Sequence, residues 1–232
     1  MSTEPIAMNG AGGYRGAAAP AVTAKPAWGA DGPQAAAIPA TVDLLARYWS
    51  RPTVEEVASW VAVRELEAET LHRISRVRRF GPICLPANVA DSLGLLDEHE
   101  RLFVGPGQVP CPPYESFWRE DVPLDIRRSL MGPCTAELRQ LYQELGLELS
   151  SPSGELPDHV AVELEALAYA LSREATEQVA RRLLVEHLGQ WLPRLCRAVG
   201  HETSHTFYRD LAALTFDWLA AIKGYFAAVD TG

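Results

Sequence analysis

The apolar residues of this chain recur at steps of three and four over most of its length and do not settle into sustained alternation with polar ones. Phe207, Leu211, Leu214, Trp218, Ile222 and Tyr225 fall on one face of a helix, and Val160, Leu164, Leu167 and Leu171 repeat the pattern at steps of 4, 3 and 4. A half-buried strand needs period-two alternation, so this pattern predicts an all-α fold. Its core would be shared among several amphipathic helices.

Punctuation residues divide that pattern into elements. Thr41 is placed to cap a helix over residues 42–49, which Pro52 ends, because the residue before a proline avoids the α region. Thr53 and Glu56 form a capping box, and no Gly or Pro interrupts the chain from Val54 to Phe80. Glutamates come early in that run and arginines late, as the helix dipole favours, and Gly81-Pro82 stops it. A further helix is predicted over residues 91–104, followed by a Gly/Pro-rich loop to Pro113. Another runs from Thr135 to Leu145 and is closed by Gly146. Pro157 suits the first turn of the next helix. The helix from Thr176 to Leu192 should bend or break at Pro193, and Gly200 reads as a stop before the last helix.

Composition separates a tail from a domain. Of residues 1–40, 24 are Ala, Gly or Pro, with Arg15 and Lys25 balanced by Glu4 and Asp31. So little apolar bulk does not offset ordering entropy, so the tail is predicted to be low-complexity and disordered, and residues 41–232 to form one all-helical domain. The net charge of −9 then resides wholly on that domain, which argues against a nucleic-acid binder. No run of about 18 apolar residues predicts a membrane span, and the N-terminus carries no export signature, so a cytoplasmic protein is expected. Arg78-Arg79-Phe80 resembles part of a twin-arginine leader but lies far from the N-terminus with no apolar segment after it. Cys84, Cys111, Cys134 and Cys196 form no C-x₂-C pair and read as reduced thiols.

His201-Glu202-Thr203-Ser204-His205 matches the H-E-x-x-H pattern of zinc hydrolases, in which two histidines on one helical face hold the metal. Gly200 before it, and cap-type Thr203, Ser204 and Thr206 within and after it, place the five residues across an interhelical loop, which separates the imidazoles. No metal ligand set is therefore assigned. No Gly-rich phosphate cradle of the P-loop kind is present either.

Two segments concentrate unusual chemistry. Pro112-Pro113-Tyr114-Glu115-Ser116-Phe117-Trp118 stiffens the backbone and presents aromatic and acidic side chains together, either as a peptide-recognition surface or as a rigid corner. In Pro157-Asp158-His159, Asp158 is placed to accept free amides in a first helical turn, and His159 is four residues from Glu163 and able to pair with it. Glu186-His187 with Trp191 forms a third cluster. Taken with Leu102-Phe103-Val104-Gly105, Glu163-Leu164-Glu165, Trp191-Leu192-Pro193, Phe207-Tyr208 and Leu211-Ala212, these segments occur in an order that resembles the cytoplasmic redox-enzyme maturation chaperones of the TorD/DmsD/NarJ type. The resemblance covers roughly residues 41–228. Leu130-Met131-Gly132-Pro133 through Tyr142 looks most like the branch serving type II enzymes of the dimethyl sulfoxide reductase family.

That resemblance implies a single-domain helical bundle of the TorD-like type, not an enzyme, with no cofactor of its own. Its implied partner is the apo catalytic subunit of a molybdenum enzyme, bound through the subunit's twin-arginine signal peptide and held until the molybdopterin cofactor is inserted. The residues it implies for client binding are Tyr114, Glu115, Ser116, Trp118, Pro157, Asp158 and His159, with Glu163 and Glu186 beside them. It leaves a monomer or a domain-swapped dimer open. The alternatives are a zinc hydrolase built on His201 and His205, or a helical module binding an unrelated protein.

Overall fold

The computed structural model describes residues 6–8, 33–62, 89–121, 132–149 and 155–229. In chain order these form β1 (Ile6–Met8), α1 (Pro33–Trp49), α2 (residues 54–62), α3 (Val89–His99), a π-helical turn (Glu100–Val104), α4 (Glu115–Trp118) and α5 (Pro133–Glu144). Then come β2 (Leu147–Leu149), α6 (Val160–Leu171), a 3₁₀ turn (Glu174–Thr176), α7 (Glu177–Arg182), a second π-helical turn (Leu183–Leu188), α8 (Gly189–Glu202) and α9 (Thr206–Val229). The all-α class is the one the periodicity predicts. Two three-residue strands add a small parallel pair to it.

The residues gather into two compact units, each drawn from two separated stretches of chain: Met1–Ser50 with Tyr114–Gln190, and Arg51–Pro113 with Trp191–Gly232. In the first unit α6 packs along α1. Every residue of α6 except Glu165 is buried, Glu163 included, so this helix is covered on all sides and occupies the unit's interior. On α1, Val42, Leu45, Tyr48 and Trp49 are buried. Burying each such side chain contributes about 1.5–3 kcal/mol. One face of α5 adds Cys134, Leu138, Leu141 and Tyr142 to the buried set, and Gly146, at φ +69°, turns the chain from α5 into β2.

In the second unit the capping box at α2 is formed as predicted. The Thr53 N–H donates to Glu56 Oε2 at 2.8 Å and the Glu56 N–H to Thr53 Oγ1 at 3.2 Å. Trp60 stacks on Phe207 of α9 with ring centroids 6.0 Å apart. Of the stripe read from the sequence, Phe207, Leu211, Leu214, Trp218 and Ile222 are all buried, Tyr208 is buried beside them, and the side chain of Tyr225 lies outside those described. His99 packs against both Phe103 and Tyr208, and burial lowers its pKa to about 4, which keeps the ring neutral in the core.

Several boundaries differ from expectation, each for a local reason. The first helix starts at Pro33, not after a Thr41 cap: Pro33 suits the first helical turn, Ala35–Ala37 favour helix, and Thr41 is buried within it. The 1–40 tail therefore contributes part of α1, and it also supplies β1, paired in parallel with β2. Pro193 does not end a helix. Its ring would crowd the carbonyl of Gly189, where the second π turn gives way to α8, and α8 continues to Glu202. Gly200 is likewise inside α8, with open space around the position of a Cβ. The end of the Val54–Phe80 helix, its Gly81-Pro82 stop and Cys84 lie outside the described residues. Cys111, Cys134 and Cys196 are free and buried.

Candidate functional site

The two segments singled out in the sequence meet in the first unit. Tyr114 and His159 form an antiparallel bridge, and the Glu115 N–H donates to the Asp158 carbonyl at 2.9 Å. The Ser116 N–H donates to Asp158 Oδ2 at 3.2 Å. The Tyr114 and His159 rings pack edge to face at 5.3 Å. Pro112-Pro113 thus delivers an extended strand-like residue and then the short α4, and Pro157-Asp158 delivers its counterpart immediately before α6.

His159, not Asp158, caps α6: its Nδ1 accepts the Ala161 N–H at 3.2 Å. An accepting Nδ1 fixes the ring's proton on Nε2, which stands 3.7 Å from Glu155 Oε2. The Asp158 carboxylate is free to turn toward α4 because the cap is filled from the next residue. Pro157 correspondingly lies in the turn before the helix, where its carbonyl accepts from the Tyr142 hydroxyl at 2.7 Å. That bond is buried and ties α5 to the Pro157–His159 turn.

Glu115 is wholly buried and is clasped from two sides. Arg119, one helical turn on, donates through Nη1 at 2.5 Å, and His187 Nδ1 lies 3.0 Å away from the second π turn. Arg119 also donates to both Asp121 oxygens and, at 2.9 Å, to the Glu186 carbonyl. Charge-assisted bonds of this kind are the strong class, and an ionised carboxylate can accept all of them. Glu163 is also fully buried, one turn into α6. Burial raises the Tyr142 hydroxyl and the Cys134 thiol, the latter to about 12, and the nearby carboxylates of Glu115, Asp158 and Glu163 raise both further. Burial likewise raises the Asp158 carboxyl, whose Oδ1 accepts no hydrogen bond, while the Ser116 bonds pull it back. Tyr114 is pushed up to about 12, first by burial and then by Glu155.

Around this buried core of carboxylates is a more accessible rim. Tyr114, Phe117 and Trp118 are half-buried, the Phe117 and Trp118 rings meeting edge to face at 5.2 Å. Glu155 is half-buried, and Glu120 and Asp121 are exposed. The structure therefore brings Tyr114, Glu115, Ser116, Pro157, Asp158 and His159 into one cluster, with Glu163 within its electrostatic reach and Trp118 on its edge. Glu186 joins it through its backbone carbonyl; its carboxylate is exposed and pairs with Arg182 at 3.5 Å. Sequence reasoning missed Arg119, Glu155 and Tyr142, and placed His187 only in the third cluster with Glu186 and Trp191, facing the same groove or simply packed. The i,i+4 spacing of Glu115 and Arg119 was the available signal for the first.

The H-E-x-x-H segment is divided as predicted. His201 is exposed at the end of α8, and His205 lies beyond the end of that helix, its N–H bonded to Thr203 Oγ1 at 3.1 Å. Thr203 in turn donates to Glu98 at 2.6 Å, and Arg101 holds Glu98 and the Glu202 carbonyl, so the segment serves as a tied interhelical turn. Among the described residues no three His, Cys, Asp or Glu side chains converge as metal ligands, and no helix is long and apolar enough to cross a membrane.

Residues 65–197 match the model of the nitrate reductase delta subunit family. The Tat proofreading chaperone DmsD of Salmonella typhi is 30% identical over 155 residues, which cover 67% of this chain and 69% of the relative. The chaperone protein TorD of Shewanella loihica is 27% identical over 56% of this chain and 62% of its own length. The crystal structure of a putative redox enzyme maturation protein from Archaeoglobus fulgidus shares the fold, with a TM-score of 0.50 at 20% identity, over 81% of this chain and 94% of that one. The matched span contains both halves of the cluster around Glu115, and the named relatives are chaperones rather than catalysts. The chain belongs to the nitrate reductase delta subunit family and is a redox-enzyme maturation chaperone of the TorD/DmsD/NarJ type.

Proposed function

We propose that this chaperone acts in the cytoplasm on the apo catalytic subunit of one molybdenum enzyme, binds that subunit's twin-arginine leader, and delays export until the molybdopterin cofactor is in place. The observation that supports this reading is the joining of Tyr114–Trp118 to Pro157–His159 as one acidic cluster with an aromatic rim. A leader offers guanidinium groups followed by an apolar stretch, which is the chemistry such a rim complements. The two sets of residues have different tasks in this reading. Glu115, Ser116, Asp158 and Glu163, with Pro157 and His159, hold the corner in shape, while Tyr114, Trp118, Glu155 and Asp121 meet the leader. Glu186 contributes through the carbonyl that fixes Arg119. The net charge of −9 speeds encounter with a basic peptide.

The test is titration of a synthetic leader peptide carrying an arginine pair, followed by anisotropy at two salt concentrations. Glu155→Gln combined with Asp121→Asn should weaken binding about thirtyfold, at about 1 kcal/mol for each of the two lost rim contacts, and flatten the salt dependence. Unchanged affinity and salt dependence in the double variant, with no complex on co-expression with any leader-bearing molybdoenzyme subunit, would refute the proposal.

A further inference from the structure

β2 leaves Gly146 and pairs with a segment far away in the chain. Ile6–Met8 runs parallel to it, with Ile6 opposite Leu147, Ala7 opposite Glu148 and Met8 opposite Leu149. A three-residue parallel ladder is marginal on its own, since an isolated two-stranded pair has few bonds to hold it. Residues 9–32 separate β1 from α1, so the strand is a tethered occupant, present at an effective concentration of about millimolar. A strand edge is also the surface on which extended peptides are recognised, through main-chain bonds that do not depend on side-chain identity. Ile-Ala-Met is uncharged and apolar, the same chemistry as the apolar stretch of a leader. β2 ends at Leu149, six residues before Glu155 of the acidic rim, a span of at most about 20 Å.

We propose that the edge of β2 is an acceptor for an extended apolar peptide, that Ile6–Met8 occupies it in cis, and that the apolar stretch of a client leader displaces this segment. The identity of the competitor rests on the leader-binding reading above; the acceptor edge itself does not. The N-terminal segment is then a built-in competitor that sets a threshold for client capture. A weakly matching peptide fails to displace it, and one that also engages the acidic rim succeeds.

Three proteins test this: the full chain, a variant lacking residues 2–12, and a variant with Ala7→Cys and Glu148→Cys, which stand opposite each other in the ladder and can be oxidised to lock β1 in place. The probes are a labelled peptide of residues 1–12 and a synthetic leader with an arginine pair and an apolar run. The deletion should bind the 1–12 peptide, which the full chain excludes. It should also bind the leader about three- to tenfold more tightly, because the competent state is no longer shared with the cis strand. The oxidised lock should bind the leader more weakly than the full chain, and reductant should restore it. Equal leader affinity in all three proteins, with no binding of the 1–12 peptide to the deletion, overturns the inference and leaves the leader reading standing. Binding of the 1–12 peptide to the deletion, without leader binding to any of the three, supports the acceptor edge and overturns the leader as its competitor.

Discussion

Glu115 is the residue whose replacement best separates a structural clasp from a direct client contact. Its carboxylate is fully buried and accepts from Arg119 at 2.5 Å and from His187 at 3.0 Å. Each hydrogen bond to a charged group is worth about 1.5–3 kcal/mol, so removing both would cost about 3–6 kcal/mol. In Glu115→Gln the amide oxygen still accepts one of the two. Arg119 is not stranded, because Asp121 and the Glu186 carbonyl remain. The net loss is therefore near the lower end, about 3 kcal/mol. For a chain of this size that lowers Tm by about 6–12 °C. The assay is urea and thermal unfolding of the wild type, Glu115→Gln, Arg119→Met and the double variant. The cycle should return a coupling of about 2 kcal/mol, as expected for residues in one buried network. A loss below about 1 kcal/mol for Glu115→Gln, or additivity within about 0.5 kcal/mol, would refute the clasp. Leader binding should then be normalised to the folded fraction, and its residual change in Glu115→Gln should be small.

Three further outcomes follow from other features. Tyr142→Phe should cost about 1–3 kcal/mol in urea unfolding, because it orphans the buried Pro157 carbonyl; a neutral result would mean that the tie to the corner is dispensable. Gly146→Ala should cost about 1 kcal/mol from its positive φ alone, since no atom lies within 4 Å of the added Cβ; a cost of several kcal/mol would indicate that β2 is lost with the turn. Glu165 is raised from 4.5 to about 8 by burial and by Asp43. The fold therefore keeps a proton that the unfolded chain releases, and this contribution is full below about pH 4.5 and is lost as pH rises toward 8. Unfolding midpoints measured across that range should decline less steeply in Glu165→Gln, and an unchanged slope would remove Glu165 from the account.

The features legible in the sequence were those set by local rules. The stripe from Phe207 to Ile222, the Thr53–Glu56 box, the Gly146 closure and the break between His201 and His205 each depend on residues within a turn or two of one another. So did the suspicion that Tyr114–Trp118 and Pro157–His159 matter, because both combine proline with polar and aromatic groups. What the sequence withheld were choices between neighbours. Asp158 and His159 are both able to cap α6, and only the position of α4 decides that Asp158 turns to Ser116. Glu186 and His187 are adjacent, and only the widened π turn decides which one faces Glu115. Pro193 breaks most helices, yet here its clash falls at the junction Gly189 already occupies. β1 could not be read at all, since a three-residue strand in an Ala/Gly/Pro-rich tail has no periodicity to detect.

The packing of α6 along α1 has a consequence for how the protein is made. Trp49 closes α1 and Leu171 closes α6, so about 120 residues must be synthesised between the two, which takes roughly 6–24 s at about 5–20 residues per second. Throughout that interval the apolar face of α1 has left the ribosome without its partner, and α6 in turn emerges with apolar residues at all but three of its positions, Glu163, Glu165 and the hydroxyl-bearing Tyr169. Unit one closes late in translation, by a contact between distant parts of the chain that loop-closure entropy makes slow. A protein that shelters another polypeptide during its assembly thus carries, in its own central helix pair, the same period of exposure before completion.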